Sequence, residues 1–197
     1  MGIGTVVVAN GIWPKEEIWK PLVEKADMLI ALDGAGDRIQ ADLVLGDMDS
    51  ISQIPNEKYM HLSEQDDTDL AKALKRFDVN HIFGVEGDRL DHQIGAFFAL
   101  IESKSNAIIH FDEWCGVRIP KSGRKIRINQ GSIVSLFAFG KVEGIHTSGL
   151  AYGFDNQILE PGTRGIHNKA ISDEVFVKCE NDGLIMLWSI ESEAAPK

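Results

Sequence analysis

ADLVLGDMDS, residues 41–50, carries a short strand signal that runs straight into two carboxylates. Leu43, Val44 and Leu45 form an apolar run without polar alternation. Such a run marks a strand covered on both faces, as in a parallel sheet flanked by helices. Asp47 and Asp49 follow at once. In an extended segment, residues two apart point to the same side, so the two carboxylates lie close together and repel. A bound cation reverses that penalty.

Working outward, the same pattern recurs. TVVVA (5–9) and MLIAL (28–32) are further strand-like runs, the second ending in Asp33-Gly34. YMHL (59–62) is a short fourth, and HIFGV (81–85) precedes the loop EGDRL. Helical spacing falls between them. Ile18, Leu22 and Ala26 make one stripe, with Pro14 suited to the first turn and Pro21 a point of kinking or restart. Leu70, Leu74 and Phe77 make another, with Asp67 or Thr68 as the cap. Ile94, Phe97, Phe98 and Ile101 make the apolar stripe of a third helix over 91–103. Strand and helix in alternation predict an α/β domain with a mainly parallel sheet over residues 1–105.

After residue 105 the helical spacing stops. AIIHF, KIRI, IVSLFAF, EVFVKC and LIMLWSI succeed one another, separated by Asn/Asp/Gly turn signals. That pattern predicts an all-β domain, an antiparallel sandwich or barrel, over residues 106–197.

The 197 residues are 44% apolar, with a formal net charge of −10. That balance argues against nucleic acid and anionic membranes as partners. The two cysteines, Cys115 and Cys179, lie among apolar residues in no metal-ligand spacing, and read as buried free thiols. MGIGTVVVANG lacks a basic leader segment, and its apolar run is too short to span a bilayer. A cytoplasmic protein is expected.

In an open α/β sheet, ligands bind beyond the carboxyl ends of the strands. Each strand here delivers polar groups to that rim: Asp33, then Asp47 and Asp49, then Gln65, Asp67 and Asp69, then Gly84, Gly87, Arg89 and Asp91. Oxygen ligands without a His/Cys cluster favour Mg²⁺ over Zn²⁺. Lys72 and Arg89 are suited to phosphate oxygens, and the glycines of GVEGDRLDH to a phosphate at a helix N-terminus. Together they point to phosphoryl or diphosphoryl transfer. There is no GxxxxGK[ST], so the chain is not a P-loop enzyme.

The series DGAGDRI (33–39), ADLVLGDMDSI (41–51), EQDDTDLAKAL (64–74) and GVEGDRLDH (84–92) resembles the thiamine pyrophosphokinase family. The later stretch HTSGLAYGFDNQILEPGTRGIHNKA (146–170) resembles its C-terminal segment. The resemblance implies transfer of the ATP diphosphate to thiamine, an α/β domain before a β-sandwich, and a homodimer holding thiamine where two chains meet. It assigns Asp47, Asp49 and Asp69 to the metal and the phosphates. It assigns Asp33, Gln65, Lys72, Arg89 and Asp91 to ATP, with Asp91 either holding ATP or orienting the attacking hydroxyl. On the thiamine side it assigns Thr147, Ser148, His167 and Asn168, with Asn168 hydrogen-bonded to the aminopyrimidine. Four departures stand out: Ala35-Gly36-Asp37, Asp88 for glycine, His167 for serine, and Ala170 where some members carry a ring-stacking aromatic. Another aromatic, such as Trp188 or Tyr152, is then needed to cover the ring; the alternative is that both belong to the core. Two other readings share these residues: a diphosphokinase for a related heterocyclic alcohol such as a pterin, and a non-catalytic thiamine sensor.

Overall fold

The computed structural model describes residues 2–47, 51–52, 58–63, 66–87 and 89–192. Asp49, Gln65 and Asp88 lie outside the described residues. Contacts divide the chain into two compact units, Met1–Asp112 and Glu113–Lys197.

The first unit follows the alternation read from the sequence. Its elements are β1 (Thr5–Val8), α1 (Glu16–Lys25), β2 (Met28–Leu32), a 3-10 turn (Asp33–Asp37), β3 (Leu43–Gly46), β4 (Tyr59–His61), α2 (Asp69–Arg76), β5 (Val79–Phe83), α3 (Leu90–Glu102) and β6 (Ile108–His110). The strands lie in the order β6-β5-β1-β2-β3-β4, with every pair parallel. Every strand therefore points its carboxyl end to the same edge. Strand order reverses between β1 and β5, which makes their gap the topological switch point.

Val6, Val7, Val8, Ile30, Ala31, Leu45, Ile82 and Phe83 are fully buried. Trp13, Trp19, Leu22 and Val23 pack against a cluster that includes Val6, Val8, Leu29 and Phe83. Helix α1 runs through Pro21 without a break and starts after Lys15, so Pro14 precedes the helix rather than opening it. Thr68 caps α2, its hydroxyl accepting from the Ala71 amide at 3.2 Å. Asp67 instead pairs with Lys75 at 2.8 Å.

Two expectations need correction here. AIIHF does not open the antiparallel half: β6 pairs in parallel with β5, through His81↔Ile108, Ile82↔Ile109 and Phe83↔His110. A three-residue strand carries no direction of its own, and its partner decides. The stripe expected to bury α3 is also rotated. Ala96, Ala99 and Leu100 are buried, whereas Ile94 and Phe98 are about half exposed (45% and 51%). The small alanines let the helix approach closely, so the bulky residues fall to the flanks.

The second unit is antiparallel in all its described pairs. It contains β7 (Trp114–Arg118), β8 (Arg124–Arg127), β9 (Ser132–Ala138), β10 (Val142–Ser148), β11 (Gln157–Leu159), β12 (Asn168–Lys169), β13 (Glu174–Lys178) and β14 (Leu184–Ser192). One set runs β12-β9-β14-β7 and the other β11-β10-β13-β8. Val175 and Val177 are buried while Glu174 and Lys178 are exposed, which is the alternation of a half-covered strand. Cys115 and Cys179 are buried free thiols. Burial pushes both up, to about 12 and about 11. Among the described residues no helix is long and apolar enough to cross a membrane.

Candidate active site

Three carboxylates converge at the carboxyl edge of the parallel sheet. Asp33 follows β2, Asp47 follows β3, and Asp69 begins α2. Each offers one oxygen, and the three oxygens lie within 4.8 Å of one another. The geometry is local and built from the chain. Asp33 adopts φ 42°, a left-handed conformation uncommon outside glycine, at the head of the 3-10 turn. Asp69 is fixed in the first turn of a capped helix. Gly46 makes room between them: a Cβ there would meet Asp33 Cβ at 3.0 Å and an Asp69 carboxylate oxygen at 3.1 Å.

Lys72 is the cation built into this group. It is only 3% exposed, and its ammonium donates to Asp69 Oδ1 at 3.0 Å and to the Leu62 carbonyl at 3.3 Å. Asp69 and Lys72 stand three apart on α2, yet the burial of Lys72 means they are not a solvated surface pair.

Arg89 and Asp91 form a second group at the start of α3. Arg89 donates twice to Asp91, from Nε at 2.9 Å and from Nη2 at 2.7 Å. Both side chains are well exposed. The Arg89 hydrogen bonds hold the Asp91 carboxyl down to about 2. Asp91 makes no cap: the N-cap of α3 is Arg89, without a side-chain bond.

The second unit places its expected residues differently from one another. Thr147 Oγ1 accepts from the Phe154 amide at 2.8 Å. Ser148 is exposed at the end of β10, and His167 is exposed with φ 60°. Asn168 is buried. Its carbonyl oxygen accepts from the amides of Tyr152 at 3.1 Å and Lys169 at 2.8 Å, and its amide nitrogen donates to the Tyr152 carbonyl at 2.7 Å. Asn168 therefore holds the Tyr152 backbone from both sides. Beside it is a cavity of about 220 Å³, lined by Tyr152, Phe154, Gln157, Arg164, Ile166 and Asn168 among others. Of the two aromatics named for the ring, Trp188 is core at 8% exposed, and Tyr152 is exposed at 75%.

Two family models match the chain. The family model "Thiamin pyrophosphokinase, catalytic domain" matches residues 19–111. The family model "Thiamin pyrophosphokinase, vitamin B1 binding domain" matches residues 108–184. The chain belongs to the thiamin pyrophosphokinase family. It is thereby an enzyme of the thiamine diphosphokinase class. Thiamin pyrophosphokinase 1 of Caenorhabditis elegans is 26% identical, over 90% of this chain and 83% of the relative. The thiamine pyrophosphokinase structure from Bacillus subtilis has a TM-score of 0.74 at 19% identity, covering 97% of this chain and 100% of that one. That from Candida albicans has a TM-score of 0.76 at 14% identity, covering 96% and 90%. At those identities the structures establish a shared fold.

Sequence reasoning placed Asp33 on the nucleotide side; the fold sets it among the acids. Its signal was present, since Asp33 follows a buried strand just as Asp47 does. Nothing in the sequence around Gly46 explains it; the approach of Asp33 and Asp69 shows why a glycine stands there.

Proposed function

We propose that this chain transfers the diphosphoryl group of ATP to the hydroxyl of thiamine, giving thiamine diphosphate and AMP, with Mg²⁺ held by Asp33, Asp47 and Asp69. The observation that carries the reading is the three-carboxylate cluster. Three like charges this close cost roughly 3–4 kcal/mol per pair at an effective dielectric near 20. A hard divalent cation with oxygen ligands offsets that cost, and the donor set is all carboxylate. Asp49 and Gln65 keep the roles the family motif assigns them.

Bound there, Mg²⁺ neutralises phosphate charge and orients the diphosphate. The chain's own residues supply the rest. The Lys72 ammonium has three N–H donors and gives two to the protein, so the third serves a phosphate oxygen. Arg89 presents its remaining guanidinium N–H groups to the same oxygens. The thiamine oxygen attacks the β-phosphorus, the bond from that phosphorus to the bridging α–β oxygen breaks, and AMP leaves with that oxygen. The hydroxyl proton is lost to water late in the step. Asp91, held at about 2 by Arg89, is too weak a base to take it and serves to orient Arg89. In the second unit the exposed Tyr152 ring covers the aminopyrimidine, and Asn168 sets the height of the Tyr152 backbone. The enzyme is proposed to act as a cytoplasmic homodimer.

Calorimetric titration tests the metal assignment. Mg²⁺ binds the native protein, and the Asp47→Asn variant loses that binding at least tenfold with native circular dichroism. Native Mg²⁺ affinity in Asp47→Asn would contradict the assignment.

A further inference from the structure

The switch point between β1 and β5 is where an open α/β sheet takes its ligand. In this chain the loops leaving those two strands are stitched together. Gly11 N donates to the Gly84 carbonyl at 2.7 Å, and Ile12 N donates to the Glu86 carbonyl at 2.6 Å. The approach is so close that a Cβ on Gly11 would meet those two oxygens at 2.5 Å and 2.2 Å. The Gly84–Gly87 loop is held from its other side by Gln93 Nε2, which donates to the Gly87 carbonyl at 2.7 Å. This loop leads directly to Arg89 and the start of α3.

One side chain fastens the partner loop from outside. Arg38 Nη1 donates to the carbonyls of Gly11 at 2.7 Å and Asn10 at 3.3 Å. Its guanidinium lies over the Trp13 ring, 4.1 Å from the centroid. Trp13 is fixed in turn: its indole N–H donates to the Ala9 carbonyl at 3.1 Å, and it packs edge-on against Trp19 and Phe83. Arg38 closes the same 3-10 turn that Asp33 opens, and its own amide bonds Ala35 within that turn. One short turn thus bears an acid of the cluster at one end and the loop fastener at the other.

We propose that Arg38 is a positioning residue of the ATP site: through the Asn10–Trp13 loop it sets the Gly84–Gly87 loop, and with it Arg89, against the Asp33–Asp47–Asp69 cluster. The inference rests on the diphosphotransfer reading for what the loop holds. The planar guanidinium is suited to the task, since it donates to two carbonyls while stacking on an indole. A lysine reaches the same carbonyls but offers no flat face to Trp13.

The test compares native protein with Arg38→Ala, Arg38→Lys and Gly11→Ala. Hydrogen exchange reads the clasp itself. Arg38→Ala speeds exchange of the Gly11 and Ile12 amides roughly tenfold or more, with Val6–Val8 unchanged. Calorimetry with Mg·ATP, without thiamine, reads the consequence. The dissociation constant rises roughly tenfold in Arg38→Ala, less in Arg38→Lys, while the KM for thiamine stays within about twofold. Gly11→Ala, which parts the loops while keeping the Arg38 side chain, gives the same ATP-selective loss and serves if Arg38→Ala does not fold. Unchanged exchange in Arg38→Ala overturns the proposal. So does faster exchange with native ATP affinity, native ATP affinity in Gly11→Ala, or an equal loss for ATP and thiamine. Native protein that binds Mg·ATP but forms no AMP overturns the reaction assignment alone, and exchange and ATP binding still decide the role of Arg38.

Discussion

Asp33 sits in a backbone conformation that stores of order 1 kcal/mol, and it brings a third negative charge to a crowded edge. On the proposed reading, the metal offsets both costs. Asp33→Asn retains a side chain that tolerates φ > 0 and removes the charge. In EDTA its Tm should equal or exceed the native value by about 2–4 °C, because repulsion is relieved. In Mg²⁺ the native protein should gain Tm and the variant should not, and AMP formation should fall by roughly a hundredfold or more. A thermal scan with and without EDTA checks both. Lys72→Met is the opposite case. It leaves the Leu62 carbonyl and Asp69 without their donor, and should destabilise by about 2 kcal/mol in urea unfolding, discounted because Asp69 is partly exposed. At this scale, the two-residue spacing to Asp49 singled out Asp47 in the sequence, and Asp69 was read from its place at the head of a helical pattern beside the strand ends. The burial of Lys72 and the reach of Arg38 to two carbonyls were not, because both depend on residues far along the chain.

At the scale of elements, the strands and helices were legible from periodicity, and their partners were not. A run such as AIIHF signals a strand, yet its direction comes from β5. That pairing also sets His81 Nδ1 3.0 Å from His110 Nε2. Burial first, and then the His81 charge, lowers the His110 imidazole to about 4 from its usual 6.5. A histidine depressed on folding stabilises fully above its unfolded value, and the contribution is lost as pH falls through the folded one. Stability should therefore decline between pH 6.5 and 4, by at most about 1.4 kcal/mol per pH unit from this group. His110→Leu should flatten that decline in urea unfolding against pH. In the second unit, Asn168 ties β12 to the Tyr152 segment through two side-chain hydrogen bonds. Asn168→Ala should destabilise by about 1–3 kcal/mol and raise the KM for thiamine more than for ATP. An effect confined to ATP would contradict the placing of thiamine beside Tyr152. The family resemblance marked Asn168 as a ligand contact; only the fold shows its side-chain amide bonded to the Tyr152 backbone.

For the whole molecule, an α/β unit with its acids on one edge precedes an antiparallel unit with an exposed tyrosine over a small cavity. A chain of net charge −10 that acts on a polyanion needs its cations placed locally. On the proposed reading, Lys72, Arg89 and a Mg²⁺ ion at the acid cluster would meet that need. The order of the two halves was legible from the loss of helical spacing after residue 105. The contact boundary at 112 was not, since β6 completes the first sheet. The most direct measurement is to incubate purified protein with ATP, Mg²⁺ and thiamine and quantify the products by chromatography. AMP and thiamine diphosphate should appear in equal amounts, and EDTA should abolish both. ADP with thiamine monophosphate, or thiamine bound with ATP left intact, would contradict diphosphoryl transfer by this chain.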